Sequence, residues 1–323
     1  MSEFAFELEL CAHLERRSDG ILARQLGASV ADPGGRIVDV VHVEPGPEFD
    51  ERVAVTGESI PPAAIESAVD TERARHWKDA FDYHPERARR ALERALEVGF
   101  FERERRNGQE YVRQVTRYPD WIGRIVGIEN KPDLGRPGEL TAQLRTDVSL
   151  ALVDAAILAT ESYVTRAHRN RIPDAVGIWR VHREGDSLEI EVVREPAPLP
   201  VEEPGIEPIA ARPGRTDVAV VSPTDKARAR RRLAERAYGK GWRTFELPAC
   251  RACDPATTEP TLPYCTWTGR IVDAATECGP SCAGYEPAER PAVDLETERE
   301  RRTPWVAEPG SRTPRQSGLD RFS

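Results

Sequence analysis

Three short apolar segments limit what this chain can fold into. They are RIVDVVHVE (36–44), RIVGIENK (124–131) and DAAILAT (154–160). Each is rich in β-branched residues and too short for a buried helix, so each reads as a strand. A helix-patterned stretch, GELTAQLRTDVSLAL over roughly 138–152, separates the last two. A helix before the first strand is expected over 3–17, where Phe6, Leu10 and Leu14 recur every four residues. ILARQLGAS (21–29) reads as a further strand, and AVGIWRVHREGDSLEIEVVRE as a strand pair around Glu184-Gly185-Asp186. The fold class is therefore α/β (α+β), a mixed sheet flanked by helices.

Between the first and second of these strands lies a segment with its own pattern. Residues 45–62 read as a loop; PPAAIESAV and HPERARRALERALEVG read as helices, and Asn107-Gly108 as the turn of a hairpin. Helices followed by a hairpin suggest a winged-helix-like insert. Residues 71–117 carry twelve Lys or Arg against nine Asp or Glu, in a chain of net charge −9. Residues 195–222 read as a Pro-rich linker, TDKARARRRLAERAYGKG as a basic helix, and WRTFELP as a strand. The expected organisation is a core of 1–46 and 119–200, an insert of 47–118, a basic helix and Cys-rich lobe of 201–284, and a disordered tail of 285–323.

Composition narrows the classes. No apolar run is long enough to span a bilayer, and MSEFAFELEL lacks the basic start of a signal peptide. A cytoplasmic protein is expected, with no membrane partner. Of 46 basic residues only Lys78, Lys131, Lys226 and Lys240 are lysines. Arginine bias with acidic surplus fits a salt-adapted cytoplasm, and equally a GC-rich genome. Either way, the placement of a lysine is informative.

One lysine closes the string Glu129-Asn130-Lys131. On a strand, residues i and i+2 share a face, so Glu129 and Lys131 are expected side by side. Asp39 lies within the preceding core strand. Two carboxylates converging from adjacent strands suit a hard divalent cation, and a lysine beside them can orient a water next to a phosphate. The order and motifs resemble the PD-(D/E)XK nuclease superfamily, the restriction-endonuclease-like fold, over residues 3–45 and 121–195. The resemblance implies Mg²⁺ (or Mn²⁺) on Asp39 and Glu129, catalysis by Lys131, a first-helix glutamate at Glu7 (alternatively Glu9), and a helix glutamine at Gln143. Asp147 stands where some members have a tyrosine. Pro119-Asp120 offers Asp120 as an alternative to Asp39.

The implied function is metal-dependent hydrolysis of DNA in repair, replication or restriction. The alternative is an inactive DNA-binding adaptor or regulator. Arg87, Arg89, Arg90, Arg105 and Arg106 of the insert, and Arg228, Arg230 and Arg231 of the basic helix, are candidate phosphate contacts, with Arg232 and Arg236 on the same helix. The cysteines run C-x₂-C-x₁₁-C-x₁₂-C-x₃-C over Cys250, Cys253, Cys265, Cys278 and Cys282. Such a cluster without a secretory signal suggests a metal site, zinc more than a 4Fe–4S cluster. Some PD-(D/E)XK nucleases hold a cluster with one cysteine near the first helix, a place Cys11 would fill. The last residues, with Gln316, Leu319 and Phe322, resemble a peptide that docks into a sliding clamp.

Overall fold

The computed structural model describes residues 2–305, apart from 33, 56–59, 116, 185–186 and 259–260. The chain opens with α1 (Glu3–Glu15), capped by the Ser2 hydroxyl, which accepts the Ala5 amide at 3.2 Å. Strands β1 (Ile21–Gly27) and β2 (Ile37–Pro45) follow as an antiparallel pair. The expected loop after β2 contains a helix, α2 (Phe49–Val55), because Phe49 and Arg52 are buried against the core. The insert continues with α3 (Pro62–Ile65), β3 (Arg75–His76), α4 (Pro85–Glu97), β4 (Phe101–Arg106) and β5 (Gln109–Gln114). Its three strands run in the order β3-β5-β4, over a core of its own that includes Leu92, Ala95, Phe100 and Val112. Asn107 and Gly108 both have positive φ, 51° and 77°, as the tight hairpin turn requires.

The core resumes with β6 (Ile122–Asn130), α5 (Leu140–Leu150), β7 (Ala155–Thr160), the single-turn α6 (Arg166–Arg169), β8 (Gly177–Glu184) and β9 (Ser187–Arg194). These strands form one six-stranded mixed sheet, β1-β2-β6-β7-β8-β9. Strands β1, β2 and β6 are antiparallel, β6, β7 and β8 are parallel, and β9 returns antiparallel. The parallel step from β6 to β7 is the one made through α5, since parallel neighbours need a crossover.

Helix α1 covers one face of the sheet. Phe6, Leu8 and Leu10 pack there with Leu22, Val40, Val126 and Ile157. Helices α5 and α7 (Pro223–Lys240) cover the other, where Leu144, Leu233 and Tyr238 meet Ala23, Val41, Ile125 and Leu158. A buried network ties the insert to α7. Glu235 accepts from Arg52 Nε at 2.8 Å, Arg52 Nη2 at 2.7 Å, Trp121 Nε1 at 3.0 Å, Tyr118 Oη at 3.2 Å and the Ile60 amide at 3.2 Å.

Three expectations are corrected. The Pro-rich linker is a hairpin, β10 (Gly205–Arg212) and β11 (Arg215–Val221), with Pro208 at its bulge and Gly214 in its turn at φ 77°. Glu207 of this hairpin is buried and accepts the amides of Val30, Ala31 and Asp32, which fixes the β1–β2 loop. WRTFELP buries Trp242, Phe245 and Leu247 without pairing as a strand. The tail is ordered through residue 305. Beyond two small strands, β12 (Tyr264–Cys265) and β13 (Arg270–Ile271), and the short α8 (Ala274–Glu277), helix α9 (Leu295–Arg302) buries Arg299, which bonds the Gly239 carbonyl at 3.1 Å and stacks on Trp305. The clamp-like residues Gln316, Leu319 and Phe322 lie outside the described residues.

Candidate active site

The site forms where β1, β2 and β6 part below α1. Pairing of β2 with β6 ends at Val40–Ile128. One residue further, the Asp39 side chain acts as the main-chain acceptor, taking the Asn130 amide at 2.8 Å. Directly across from Asp39, Gln25 has φ 53° and makes no ladder pair. The left-handed turn reverses the alternation of β1, so that Gln25 follows Arg24 onto the α1 side. Its amide nitrogen donates to Glu7 at 2.8 Å and to Asp39 at 3.2 Å. Those two carboxylates therefore stand no more than about 6 Å apart. Glu7 is also paired with Arg24.

Glu129 approaches from β6. Arg36, just before β2, bridges it to α5: Nη2 meets Glu129 at 2.7 Å, while Nε and Nη2 meet Asp147 at 2.8 and 2.7 Å. Arg36 and Glu129 are both about 5% exposed, so the pair is desolvated. Burial and then the charge of Asp39 push the Glu129 carboxyl up to about 8. Burial likewise raises Glu7, with Asp39 adding to it, and Asp39, with Glu3 adding to it. For Arg36, burial opposes the charge, but Asp147 and Glu129 outweigh it and hold the guanidinium protonated. Beside them the Asn130 side chain is buried, and neither its Oδ1 nor its Nδ2 has a partner among the described residues.

The expected residues divide clearly. Glu7 and Asp39 are joined through Gln25, and Glu129 lies near enough for the charge of Asp39 to raise its carboxyl. Glu9 does not join them; it pairs with Arg183 at the far end of the sheet. Asp120 lies before the start of β6, while Glu129 lies near its end, roughly 30 Å away along an extended chain. Gln143 is one turn before Asp147 on α5, on the same face. Just past the end of β6, the Lys131 amide still donates to the Ala159 carbonyl of β7 at 2.9 Å, and its ammonium pairs with Glu3 of α1.

Arg36, Gln25 and Glu3 were not anticipated. Arg36 follows Gly34-Gly35 and reads as the first residue of a strand; Gln25 occupies a conformation its residue type does not advertise.

Residues 21–287 match the sequence pattern of a family of unknown function, DUF5787. The chain belongs to that family. No curated protein and no solved structure matches it.

Of the arginine candidates, several are engaged. Arg89 pairs with Glu93 at 2.9 Å, Arg106 with Glu104 at 2.7 Å, and Arg228 approaches Asp225 at 3.9 Å. Arg230 holds Asp154 at 2.8 Å and the Leu152 carbonyl at 2.9 Å, anchoring α7 to the sheet. Arg231 lies over Tyr118, and Arg87 over Tyr83. Arg90 and Arg105 are exposed.

In the C-terminal lobe the Cys253 amide donates to the Cys250 carbonyl at 3.0 Å, closing the C-x₂-C turn, and Cys253 faces Cys265 across a β-bridge. Burial pushes the Cys253 thiol up to about 11, helped by Cys278, Cys250 and Cys265. Cys278 is raised likewise, by burial and by Cys265, Cys250 and Cys282. Cys11 is in neither set. It lies on α1, on the face packed against the sheet, where burial and Glu7 raise its thiol. Among the described residues, no group of three or more His, Cys, Asp or Glu side chains is placed so as to hold a metal ion. At the carboxylates the reason is visible: Gln25, Arg24 and Arg36 hold them instead.

Proposed function

We propose that this chain is a metal-dependent nuclease of the PD-(D/E)XK type that hydrolyses phosphodiester bonds in DNA. One observation carries the reading. Glu7, Asp39 and Glu129, from a helix and two antiparallel strands, lie where those strands part; burial raises all three carboxyls, and the charge of Asp39 raises the other two further. A buried group of acids so placed is a functional-site signature, because it is unfavourable without a ligand. The order of helix, three-stranded antiparallel meander, crossover helix and parallel strand supports the same reading.

The donor set suits a hard cation. Mg²⁺ or Mn²⁺ would be held by Asp39 and Glu129, with Glu7 beside them and the Asn130 main chain as a further oxygen donor. Bound there, a divalent ion supplies charge neutralisation at the scissile phosphate. The protein supplies the rest. Gln25 fixes the distance between Glu7 and Asp39. Arg36 keeps Glu129 and Asp147 oriented, and would have to yield Glu129 when the ion enters. Lys131, released from Glu3, is the group that would orient the attacking water. The lobe's cysteines would take zinc rather than a 4Fe–4S cluster, through Cys253, Cys265 and Cys278 with Cys250 or Cys282 as the fourth thiolate. The winged-helix-like insert would grip DNA, and Gln316, Leu319 and Phe322 would dock into a sliding clamp.

The test is cleavage. Wild type with Mg²⁺ or Mn²⁺ is expected to cut single-stranded, duplex or branched DNA, and Asp39→Ala, Glu129→Ala and Lys131→Ala to lose that activity. No cutting by wild type, or equal cutting by all three variants, sinks the enzymatic reading. A second reading is favoured by Arg36, whose guanidinium pairs with Glu129 at 2.7 Å as a fixed cation would. In that reading the protein binds DNA without hydrolysis, as an adaptor or regulator. DNA retention that needs no divalent metal and survives Glu129→Ala marks it. A clamp pull-down unchanged by Leu319→Ala and Phe322→Ala would remove that partner.

A further inference from the structure

Helix α7 presents Arg232, Arg236 and Lys240 at four-residue spacing, hence on one face. Each stands over a successive alternate residue of the edge strand β1 or the loop just after it. Arg232 Nη2 reaches the Ser29 carbonyl at 3.4 Å. The Arg236 guanidinium stands over Gly27, 3.7 Å from where a side chain would begin. Lys240 Nζ donates to the Gln25 carbonyl at 2.8 Å. Gln25 is the residue whose amide joins Glu7 to Asp39. The row therefore ends at the carboxylates.

Its other end opens into a cleft of about 430 Å³ between the insert and α7. There α4 contributes Arg87, Arg90 and Arg94, opposite Arg232 and Arg236. The one acid in the cleft, Glu66, is taken by Arg232 at 2.6 Å and by the Tyr83 hydroxyl. Arg90 and Arg236 form no ion pair among the described residues. Burial and then the charge of Arg232 lower the Arg236 pKa, with Glu66 opposing and Arg87 adding to the fall. In a chain of net charge −9, five arginines facing one acid are a local reversal. Arg94 pairs with Glu97 at 2.7 Å at the cleft edge and Arg87 lies over Tyr83, so Arg90 and Arg236 are the arginines best placed to take an anion.

We propose that this cleft and row form a track for the phosphodiester backbone of a nucleic-acid strand, entering between α4 and α7 and passing along β1 to Glu7, Asp39 and Glu129. The assignment rests on the nuclease reading for its destination. Eight residues of helix span about 12 Å, which is roughly three to four phosphates of one strand at B-form rise. Arginine forks suit phosphate oxygens, and contacts of this kind give affinity without base preference.

The experiment is binding by the full chain, in EDTA so that no cleavage intervenes. Fluorescein-labelled single-stranded DNA and its RNA counterpart are titrated by anisotropy across a salt series. Arg90→Gln, Arg236→Gln and Lys240→Gln are each expected to weaken binding roughly threefold or more and to flatten the slope of log K against log salt by about 0.7. Arg251→Gln, exposed in the C-terminal lobe and not part of the cleft lining, is expected to leave both unchanged. Circular dichroism melts confirm that the variants are folded. Loss on the RNA strand alone keeps the track and changes its cargo. Wild-type slopes in all three variants, or no binding by wild type to either strand, overturn the track. Cleavage that persists alongside wild-type slopes would leave the nuclease reading standing without it; flattened slopes without cleavage in any metal would do the reverse.

Discussion

Replacing Arg36 by methionine isolates the central electrostatic balance of the site. Methionine is close to the arginine stem in shape, so the perturbation is the guanidinium itself. Three hydrogen bonds to Glu129 and Asp147 disappear, all between 2.7 and 2.8 Å. The two carboxylates stay behind, 5% and 11% exposed. Breaking one side of a buried pair typically costs 3–5 kcal/mol, because the partner charge is left uncompensated. The melting entropy of a chain this size is on the order of 0.65 kcal/mol per kelvin, so the expected drop in Tm is about 5–8 °C. The loss also depends on pH. Without Arg36 the folded-state pKa of Glu129 rises further above its unfolded value. Stability from such a group is present below the unfolded pKa and is lost as pH rises through the folded one. The Arg36→Met penalty should therefore be smallest near pH 5 and largest above pH 8. Unfolding followed by circular dichroism at the two pH values measures it. Adding Glu129→Gln to Arg36→Met should return part of the loss at high pH. A penalty under about 1 kcal/mol, or one equal at both pH values, would refute the claim that Arg36 neutralises a desolvated acid pair.

Three further outcomes follow from the same geometry. Glu129→Gln removes a carboxyl pushed up to about 8, so the variant should be as stable as wild type at pH 5 and gain on it as pH rises towards 8, while losing metal-dependent activity; a variant less stable at pH 8 than at pH 5, relative to wild type, contradicts this. Glu235→Ala strands the fully buried Arg52 and three further donors, and should lower stability by about 3–5 kcal/mol in chemical unfolding, loosening the insert from α7. Metal analysis of the purified protein should find one zinc per chain, lost in Cys278→Ser together with protease resistance of the lobe; a metal-free lobe of equal resistance removes the zinc assignment.

Much of the fold is legible because local and global signals agree. Alternation in RIVDVVHVE and the apolar run of DAAILAT named their strands, and Asn107-Gly108 named its hairpin, since few other pairs accept two positive φ values. The failures have physical causes too. The hairpin β10–β11 hides in Pro-rich sequence, although Pro213-Gly214 is a turn signal in its own right. Helix α9 is almost wholly charged, and it is held by one buried arginine rather than an apolar stripe.

The site divides along the same line. Asp39 and Glu129 could be found because each sits in a strand whose neighbours are apolar, so a carboxylate there is conspicuous. Glu7 could be found because it shares a helix face with Leu10 and Cys11. What joins them could not. Gln25 acts through a backbone conformation, and Arg36 through a contact with residues 93 and 111 positions away. The alternation rule puts Lys131 on the face of Glu129; the main chain there still bonds β7, with the Lys131 amide donating to the Ala159 carbonyl at 2.9 Å, but the long side chain reaches Glu3 of α1. That contact bears on the proposed mechanism. On the nuclease reading, a lysine tied to Glu3 and a glutamate tied to Arg36 are two ion pairs that would both have to open before water, phosphate and cation meet. Single substitutions at Glu3 and Arg36 would then relieve different pairs, and a chain poised in this way should respond to Glu3→Gln by freeing Lys131 without disturbing Glu129. Faster cleavage by Glu3→Gln at unchanged stability is the expected sign; unchanged cleavage would mean that the Glu3 pair does not restrain the lysine.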